Sequence, residues 1–144
     1  MSFNEDIKDI VAANSSGLMG KHESWERVQL GKIAKIINGF AFKSSFFTKD
    51  QGIPLIRIRD ILPGVTKTFY SGPIVEGYEV TPGDLLIGMD GDFNARLWNG
   101  QRGLLNQRVC KVDTDERFYS LRFLAYVLPG FLSAINAKTS SITV

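Results

Sequence analysis

Three aspartates, Asp84, Asp90 and Asp92, fall close together in the sequence and could suggest a metal-dependent nuclease. Such a site needs carboxylates that converge on a cation, usually beside a lysine that stabilises the developing charge. The segment after Asp84 offers no Glu-x-Lys partner. The run Asp90-Gly91-Asp92 is instead typical of a tight hairpin turn, because aspartate and glycine tolerate the dihedral angles of such turns. The turn is therefore favoured, and the nuclease stays an alternative.

Other residue types that commonly carry catalysis are scarce in this chain. There is one cysteine, Cys110, and one histidine, His22. Cys110 lies in an apolar-rich run, which favours a buried small side chain over a nucleophile, and His22 has no candidate ligand partner near it. The glycines form neither a Gly-x-x-x-x-Gly-Lys-Ser/Thr nor a Gly-x-Gly-x-x-Gly phosphate loop. The sequence thus predicts no catalytic residue, no metal and no cofactor.

Long polar side chains beside predicted turns are the remaining candidates for function. Arginine can form two hydrogen bonds with guanine in the major groove of DNA, and asparagine or glutamine can do so with adenine. Lysine, serine and threonine mostly bind phosphates. The candidate base-reading residues are Arg57, Asn94, Arg96, Asn106 and Gln107. The candidate phosphate contacts are Lys43, Ser44, Arg108, Lys138, Thr139 and Ser140.

Each of these residues also has an ordinary structural role open to it. Arg57 and Arg59 would share one face of a predicted strand and could simply solvate that face. The amides of Asn106 and Gln107 could satisfy backbone groups of their loop. The net charge of +2 is weak evidence for a polyanionic partner. Residues 1–25 hold two basic and four acidic residues, which leaves a mildly basic body with 15 basic and 11 acidic residues.

The pattern of apolar residues and turn signals predicts an α+β fold, with a twisted mixed or antiparallel sheet and flanking helices. Short apolar or alternating runs predict strands at residues 53–59, 83–88, 95–98 and 107–112. Helical spacing predicts a helix pair at 121–128 and 131–135, broken at Pro129-Gly130. Residues 4–11 could form a short amphipathic helix. We therefore expect an N-terminal helix and linker over 1–24 and one domain over 25–144.

Bulk composition agrees with a folded, cytoplasmic protein. The 144 residues are 44% hydrophobic and 22% charged, which suits a single domain with one sizeable core. The N-terminus has no charged-then-apolar signal pattern. The most apolar segment, 121–135, is short and is interrupted by Arg122 and by Pro129-Gly130, so no membrane span is expected.

Six segments, in this order along residues 25–144, resemble a target-recognition domain of the type I restriction-modification specificity subunits. They are Trp25-x-x-Val28-x-Leu30-Gly31-Lys32-Ile33, Asn38-Gly39-Phe40-Ala41-Phe42-Lys43-Ser44, Ile53-Pro54-Leu55-Ile56-Arg57-Ile58-Arg59-Asp60, Pro82-Gly83-Asp84-Leu85-Leu86-Ile87, Gly103-Leu104-Leu105-Asn106-Gln107-Arg108-Val109 and the helical region 123–126. No single segment is specific. Their combination and order make the match strong.

The resemblance implies a DNA-reading role without chemistry. A full specificity subunit resembles two such domains separated by long helices, each domain reading half of a split target in double-stranded DNA. Methyltransferase subunits, which use S-adenosylmethionine, and restriction subunits are then the implied partners. We expect loops at one edge of the sheet to read about three to five base pairs. A protein-interaction module that binds methyltransferase subunits is the main alternative.

Overall fold

The computed structural model describes residues 9–10, 23–91 and 93–142, with side chains up to residue 138. The predicted N-terminal helix and linker over 1–24 fall almost entirely outside these residues, as does His22, so the domain boundary at residue 25 stays a prediction. The described strands are β1 (Ala34–Asn38), β2 (Phe47–Thr48), β3 (Ile53–Ile56), β4 (Phe69–Tyr70), β5 (Glu79–Val80), β6 (Leu85–Gly88), β7 (Asn94–Leu97), β8 (Gly103–Leu105) and β9 (Val109–Thr114). The helices are α1 (Leu30–Ile33) and α2 (Leu121–Ile142), with 3-10 turns at Ser44–Phe46 and Ile58–Asp60.

The strands form two sheets, and a short turn at 106–108 connects β8 in one sheet to β9 in the other. The first sheet has the order β1-β9-β6-β7, and all of its strand pairs are antiparallel. The second has the order β2-β4-β3-β8-β5 and is mixed, because β3 and β8 are parallel while the other pairs are antiparallel. With α2 packed against the first sheet, the predicted α+β fold with a mixed sheet and a flanking helix is confirmed.

Strand β6 is buried on both of its faces, which explains why its sequence is continuously apolar. Successive side chains of a strand point to opposite faces. Leu86 packs in a cluster with Trp98 and Leu105. Leu85 and Ile87 pack in another cluster, with the α2 residues Leu124, Val127 and Leu128. The first sheet thus lies between α2 and the rest of the core.

Helix α2 is one continuous element of 22 residues, so the predicted break at Pro129-Gly130 is wrong. A proline inside a helix removes one backbone hydrogen bond and costs about 3 kcal/mol. Here Pro129 and Gly130 are both exposed, so they lie on the side of the helix that faces away from the first sheet. Phe131 and Leu132 join the same apolar cluster as the residues before the proline. Burial on both sides of Pro129 offsets the local cost.

Strand β3 ends at Ile56, so the prediction of a strand that continues to Arg59 is also wrong. The backbone N–H of Arg57 donates to Asp60 Oδ2 at 2.8 Å. This contact starts the 3-10 turn Ile58–Asp60 and turns the chain away from the sheet. Arg57 and Arg59 therefore do not share a strand face.

Within the described part of the chain, neither helix combines the length and the apolar character that crossing a membrane would require.

Candidate nucleic-acid interface

Two parallel strands bring the first group of polar residues together. Leu55 pairs with Leu104, and Ile56 pairs with Leu105. The carboxyl ends of β3 and β8 therefore lie side by side, and the Asn106 N–H donates to the Ile56 carbonyl at 3.2 Å. As a result, Arg57, which follows β3, and Asn106, which follows β8, meet at the same edge.

The first sheet adds two loops to this edge. The turn at 106–108 leads directly into β9, whose Val109 lies opposite Gly88 at the end of β6. The Met89 N–H donates to the Arg108 carbonyl at 2.8 Å, and the Gln107 N–H donates to the Phe40 carbonyl at 2.9 Å. Loops 39–43, 57–59, 66–68, 89–93 and 106–108 thus border one another, and we call them together the loop edge.

The base-reading candidates on the loop edge differ in how far their side chains are exposed to solvent. Gln107 is exposed at the tip of its turn. Arg57 is half-buried, because its Nη2 donates to Thr68 Oγ1 at 2.7 Å and its guanidinium lies 6.0 Å from the ring centre of Phe47. Asn94 is half-buried at the start of β7. Gln107 is the most accessible of these three side chains.

Asn106 and Arg96 are less directly placed for contact with DNA. The Asn106 side chain is buried, and its Oδ1 has no hydrogen-bond partner among the described residues. Arg96 is exposed, but it lies two residues into β7, and its guanidinium donates to the Leu62 carbonyl. The base-reading roles of these two side chains stay predictions.

Several phosphate-contact candidates lie around the same edge. Lys43, the last residue of loop 39–43, and Ser44, which follows it, are both exposed. Asn136 on α2 holds loop 89–93, because it exchanges hydrogen bonds of 2.9 and 3.0 Å with the backbone of Phe93. Lys138 lies two residues further along α2, on a different face of the helix from Asn136. The side chains of the other α2 candidates, Thr139 and Ser140, lie outside the described residues.

Arg108 makes a specific ion pair on the loop edge. Its Nη1 lies 2.6 Å from Asp90 Oδ2, and both side chains are more than half exposed. Its backbone has a φ of +68°, which is uncommon for a residue other than glycine. The turn between β8 and β9 and the hairpin loop between β6 and β7 are thus linked by charge.

Two lysines that sequence reasoning missed also belong here. Lys49 and Lys67 line an open groove of about 570 Å³ with Thr66 and Phe69. Because β4 runs antiparallel to β3, the residues before β4 lie where β3 ends. No local pattern could have found this pair, since only the pairing of β2 with β4 brings positions 49 and 67 together.

The aspartates do not form a nuclease site in the described structure. Asp84 precedes β6, and Asp90 follows it, so the four residues of that strand separate them. Asp84 Oδ2 accepts the Thr81 N–H at 2.8 Å and lies 3.7 Å from Lys111 Nζ. Asp92 lies outside the described residues, and within them no three metal-ligating side chains converge. Both described aspartates have structural contacts that account for them.

Three further predictions are confirmed, namely the β6–β7 hairpin, a buried Trp98 and a buried Cys110. Antiparallel pairing of Gly88 with Asn94 makes 89–93 a hairpin connection, in which Gly91 has a φ of +67°. Trp98 is a core residue with 2% of its surface exposed. Cys110 is buried, and burial raises the pKa of its thiol, which keeps the group protonated and unreactive.

Comparison with known proteins identifies relatives over the whole chain. All of it aligns at 56% identity with the specificity subunit of the type I restriction enzyme EcoBI from Escherichia coli, and this match covers 31% of that subunit. A second specificity subunit, of EcoAI from the same organism, is 35% identical over 75 residues, which are 47% of this chain and 13% of the relative. No family model matches the chain. The chain therefore spans about a third of the length of its longer-matching relative.

Solved structures support the same assignment at the level of the fold. An HsdS subunit from Thermoanaerobacter tengcongensis superposes with a TM-score of 0.54 at 22% identity, over 90% of this chain and 36% of that one. A chain from a structural study of complex assembly and conformational transition in the type I R-M system gives 0.55 at 19% identity, over 88% and 35%. Over its whole length, and at 56% identity, the chain is thus homologous to about a third of a type I restriction enzyme specificity subunit.

Proposed function

We propose that this chain recognises a short sequence in double-stranded DNA through the loop edge, as one half of a bipartite target. In a complete type I complex it would direct the methyltransferase and restriction subunits to that sequence, and it would carry out no chemistry itself. The observation that carries the proposal is the convergence of loops from both sheets, because a single surface then presents arginine, glutamine and lysine side chains to one ligand.

The charges on the loop edge suit a DNA backbone. Lys43, Lys49 and Lys67 are exposed. Among the described residues, none of their ammonium groups lies within 4.0 Å of a carboxylate. Cations that have no protein counter-charge can replace the ions condensed on DNA, and each phosphate so neutralised contributes about 0.9 to the slope of log K against log salt. Phosphate contacts at these lysines would position the duplex for base reading.

The direct test is selection from random duplexes, performed at low salt because a single module is expected to bind weakly. The 144-residue chain should enrich one short motif. Titration of that motif at several salt concentrations should give a slope near −3.6 if about four phosphates are contacted. Binding without any sequence preference, or no binding at low salt, would contradict the proposal.

Removing Lys49 and Lys67 together should weaken binding to all sequences alike. The double variant Lys49→Ala/Lys67→Ala is expected to reduce the magnitude of the salt slope by about 1.8 and to leave the selected motif unchanged. The matched control is Lys32→Ala, because Lys32 is exposed in α1, before β1, and β1 ends at the loop edge. If the double variant and Lys32→Ala gave the same salt slope, the groove lined by Lys49 and Lys67 would not contact DNA.

A second candidate function, binding of a protein partner, is favoured by a separate observation. Phe118, Phe123 and Tyr126 are exposed by 79%, 46% and 70%, at the start of α2 and just before it. Exposed aromatic side chains are enriched in protein interfaces. If methyltransferase subunits bind here, Phe123→Ser/Tyr126→Ser should abolish their co-purification and leave DNA selection intact. Leu62→Ser, an exposed apolar residue on another loop, is the control, and equal co-purification of both variants would reject this surface.

A further inference from the structure

Arg108 differs from the lysines of the loop edge, because the carboxylate of Asp90 already balances its positive charge. The pair links the β8–β9 turn to the β6–β7 hairpin loop, with 2.6 Å between Arg108 Nη1 and Asp90 Oδ2. The hydrogen bond from Met89 to the Arg108 carbonyl also fixes the two backbones relative to each other. Arg108 holds a backbone conformation, with φ at +68°, that residues other than glycine rarely adopt. An observed backbone outlier of this kind at a binding surface supports a functional hypothesis.

The geometry of the pair leaves a specific set of donors available. The Asp90 carboxylate is contacted by Nη1 of Arg108 alone. The opposite edge of the guanidinium, with its Nε–H and Nη2–H groups, makes no hydrogen bond among the described residues. Two parallel N–H donors on one planar edge match the O6 and N7 acceptors of guanine. A phosphate gains less from such a pair, because the neighbouring carboxylate cancels the positive charge that attracts it.

We propose that Arg108 reads a guanine base and that Asp90 positions it. This assignment rests on the proposed DNA-reading function, and it replaces the phosphate contact that the sequence alone suggested for Arg108. Asp90 holds the guanidinium in one orientation, and its negative charge disfavours contact of that group with the phosphates of DNA. The lysines Lys43, Lys49 and Lys67, which have no such counter-charge, supply the phosphate contacts.

The experiment is duplex selection with the wild-type chain and with Arg108→Ala, Arg108→Lys and Asp90→Asn, each first checked for folding by circular dichroism. Arg108→Ala should lose the preference at one G·C pair by roughly 5- to 150-fold and keep the rest of the motif. Arg108→Lys retains the charge and the backbone conformation but lacks the planar fork. It should lose the same preference and keep the wild-type salt slope.

Two further measurements separate base reading from a structural role. Replacing that guanine with 7-deazaguanine removes the N7 acceptor, so it should weaken binding of the wild type but not of Arg108→Ala. Asp90→Asn should lower the preference at the same base pair and raise affinity for unrelated duplexes, because the freed guanidinium can then reach phosphates.

The outcomes distinguish this assignment from the function on which it rests. A wild-type chain that enriches no sequence overturns the proposed function and, with it, the role of Arg108. A wild-type motif that Arg108→Ala leaves unchanged overturns only the assignment of Arg108. If Arg108→Ala instead bound all sequences more weakly, with a salt slope smaller in magnitude by about 0.9, Arg108 would be a phosphate contact.

Discussion

Replacing Leu105 with alanine is expected to lower the free energy of unfolding by about 2–5 kcal/mol. Leu105 is fully buried in the cluster that contains Ile56, Leu86 and Trp98. The substitution removes most of its apolar side chain and leaves a cavity that neighbouring side chains fill only in part. Such a loss is a large fraction of the roughly 5–15 kcal/mol that stabilises a typical domain.

The effect should also reach the loop edge, because Leu105 immediately precedes the turn at 106–108. Its backbone accepts the Phe40 N–H at 3.0 Å and donates to the Tyr78 carbonyl at 2.7 Å. We expect a melting temperature lower by roughly 5 to 20 °C and loss of DNA binding at temperatures where the variant is partly unfolded.

Chemical denaturation compares Leu105→Ala with Leu62→Ala, which removes the same atoms from a side chain that is 54% exposed. The control should change stability by no more than about 0.5 kcal/mol. Equal denaturation midpoints for the two variants would mean that Leu105 is not buried in the folded protein.

Replacing Gly39 with alanine is expected to separate two loops of the loop edge. A Cβ atom at this position would overlap the backbone carbonyl of Asn106 and would lie 2.9 Å from the carbonyl oxygen of Val109. Neither obstacle is a flexible side chain, so the backbone itself must move. The movement would also strain the Gly39 N–H bond to Val109, which is 2.9 Å long.

We expect Gly39→Ala to cost about 1–3 kcal/mol of stability, as overpacking typically does, and to lower the melting temperature by roughly 3 to 12 °C. If Gln107 and Arg108 read bases as proposed, the shifted turn should also weaken the preference at those base pairs, while the proposed phosphate contacts of Lys49 and Lys67 persist. Duplex selection and thermal melting measure the two effects separately.

Gly31→Ala is the matched control for this substitution. Gly31 lies in α1, and a Cβ atom there would meet no atom within 4 Å. Alanine in a helix is favoured over glycine by about 0.5–1 kcal/mol, so the control should melt at or slightly above the wild-type temperature. A Gly39→Ala chain that melts and selects DNA like Gly31→Ala would refute the close packing of loop 39–43 against the turn.

Local chemistry explains which features could be predicted from the sequence. The apolar patterns identified the strands β6 and β9 and the helical C-terminal part, and the Asp90-Gly91 turn indicated the β6–β7 hairpin. Trp98 and Cys110 were correctly expected in the core. These features depend on periodicity and on the dihedral preferences of a few neighbouring residues, which are properties of short segments. The order of several such segments was enough to indicate the family.

The tertiary structure alone decided which polar side chains meet. Lys49 and Lys67 share a groove because β2 pairs with β4, and Arg57 binds Thr68 because β3 ends where β4 begins. Arg108 faces Asp90 because β9, which follows Arg108, pairs with β6, which ends just before Asp90. The type of a polar residue determines which hydrogen bonds its side chain can donate or accept. Which partner it meets depends on strand pairings between distant segments. The continuity of α2 past Pro129 has the same origin, since packing against the first sheet outweighs the local preference of the proline.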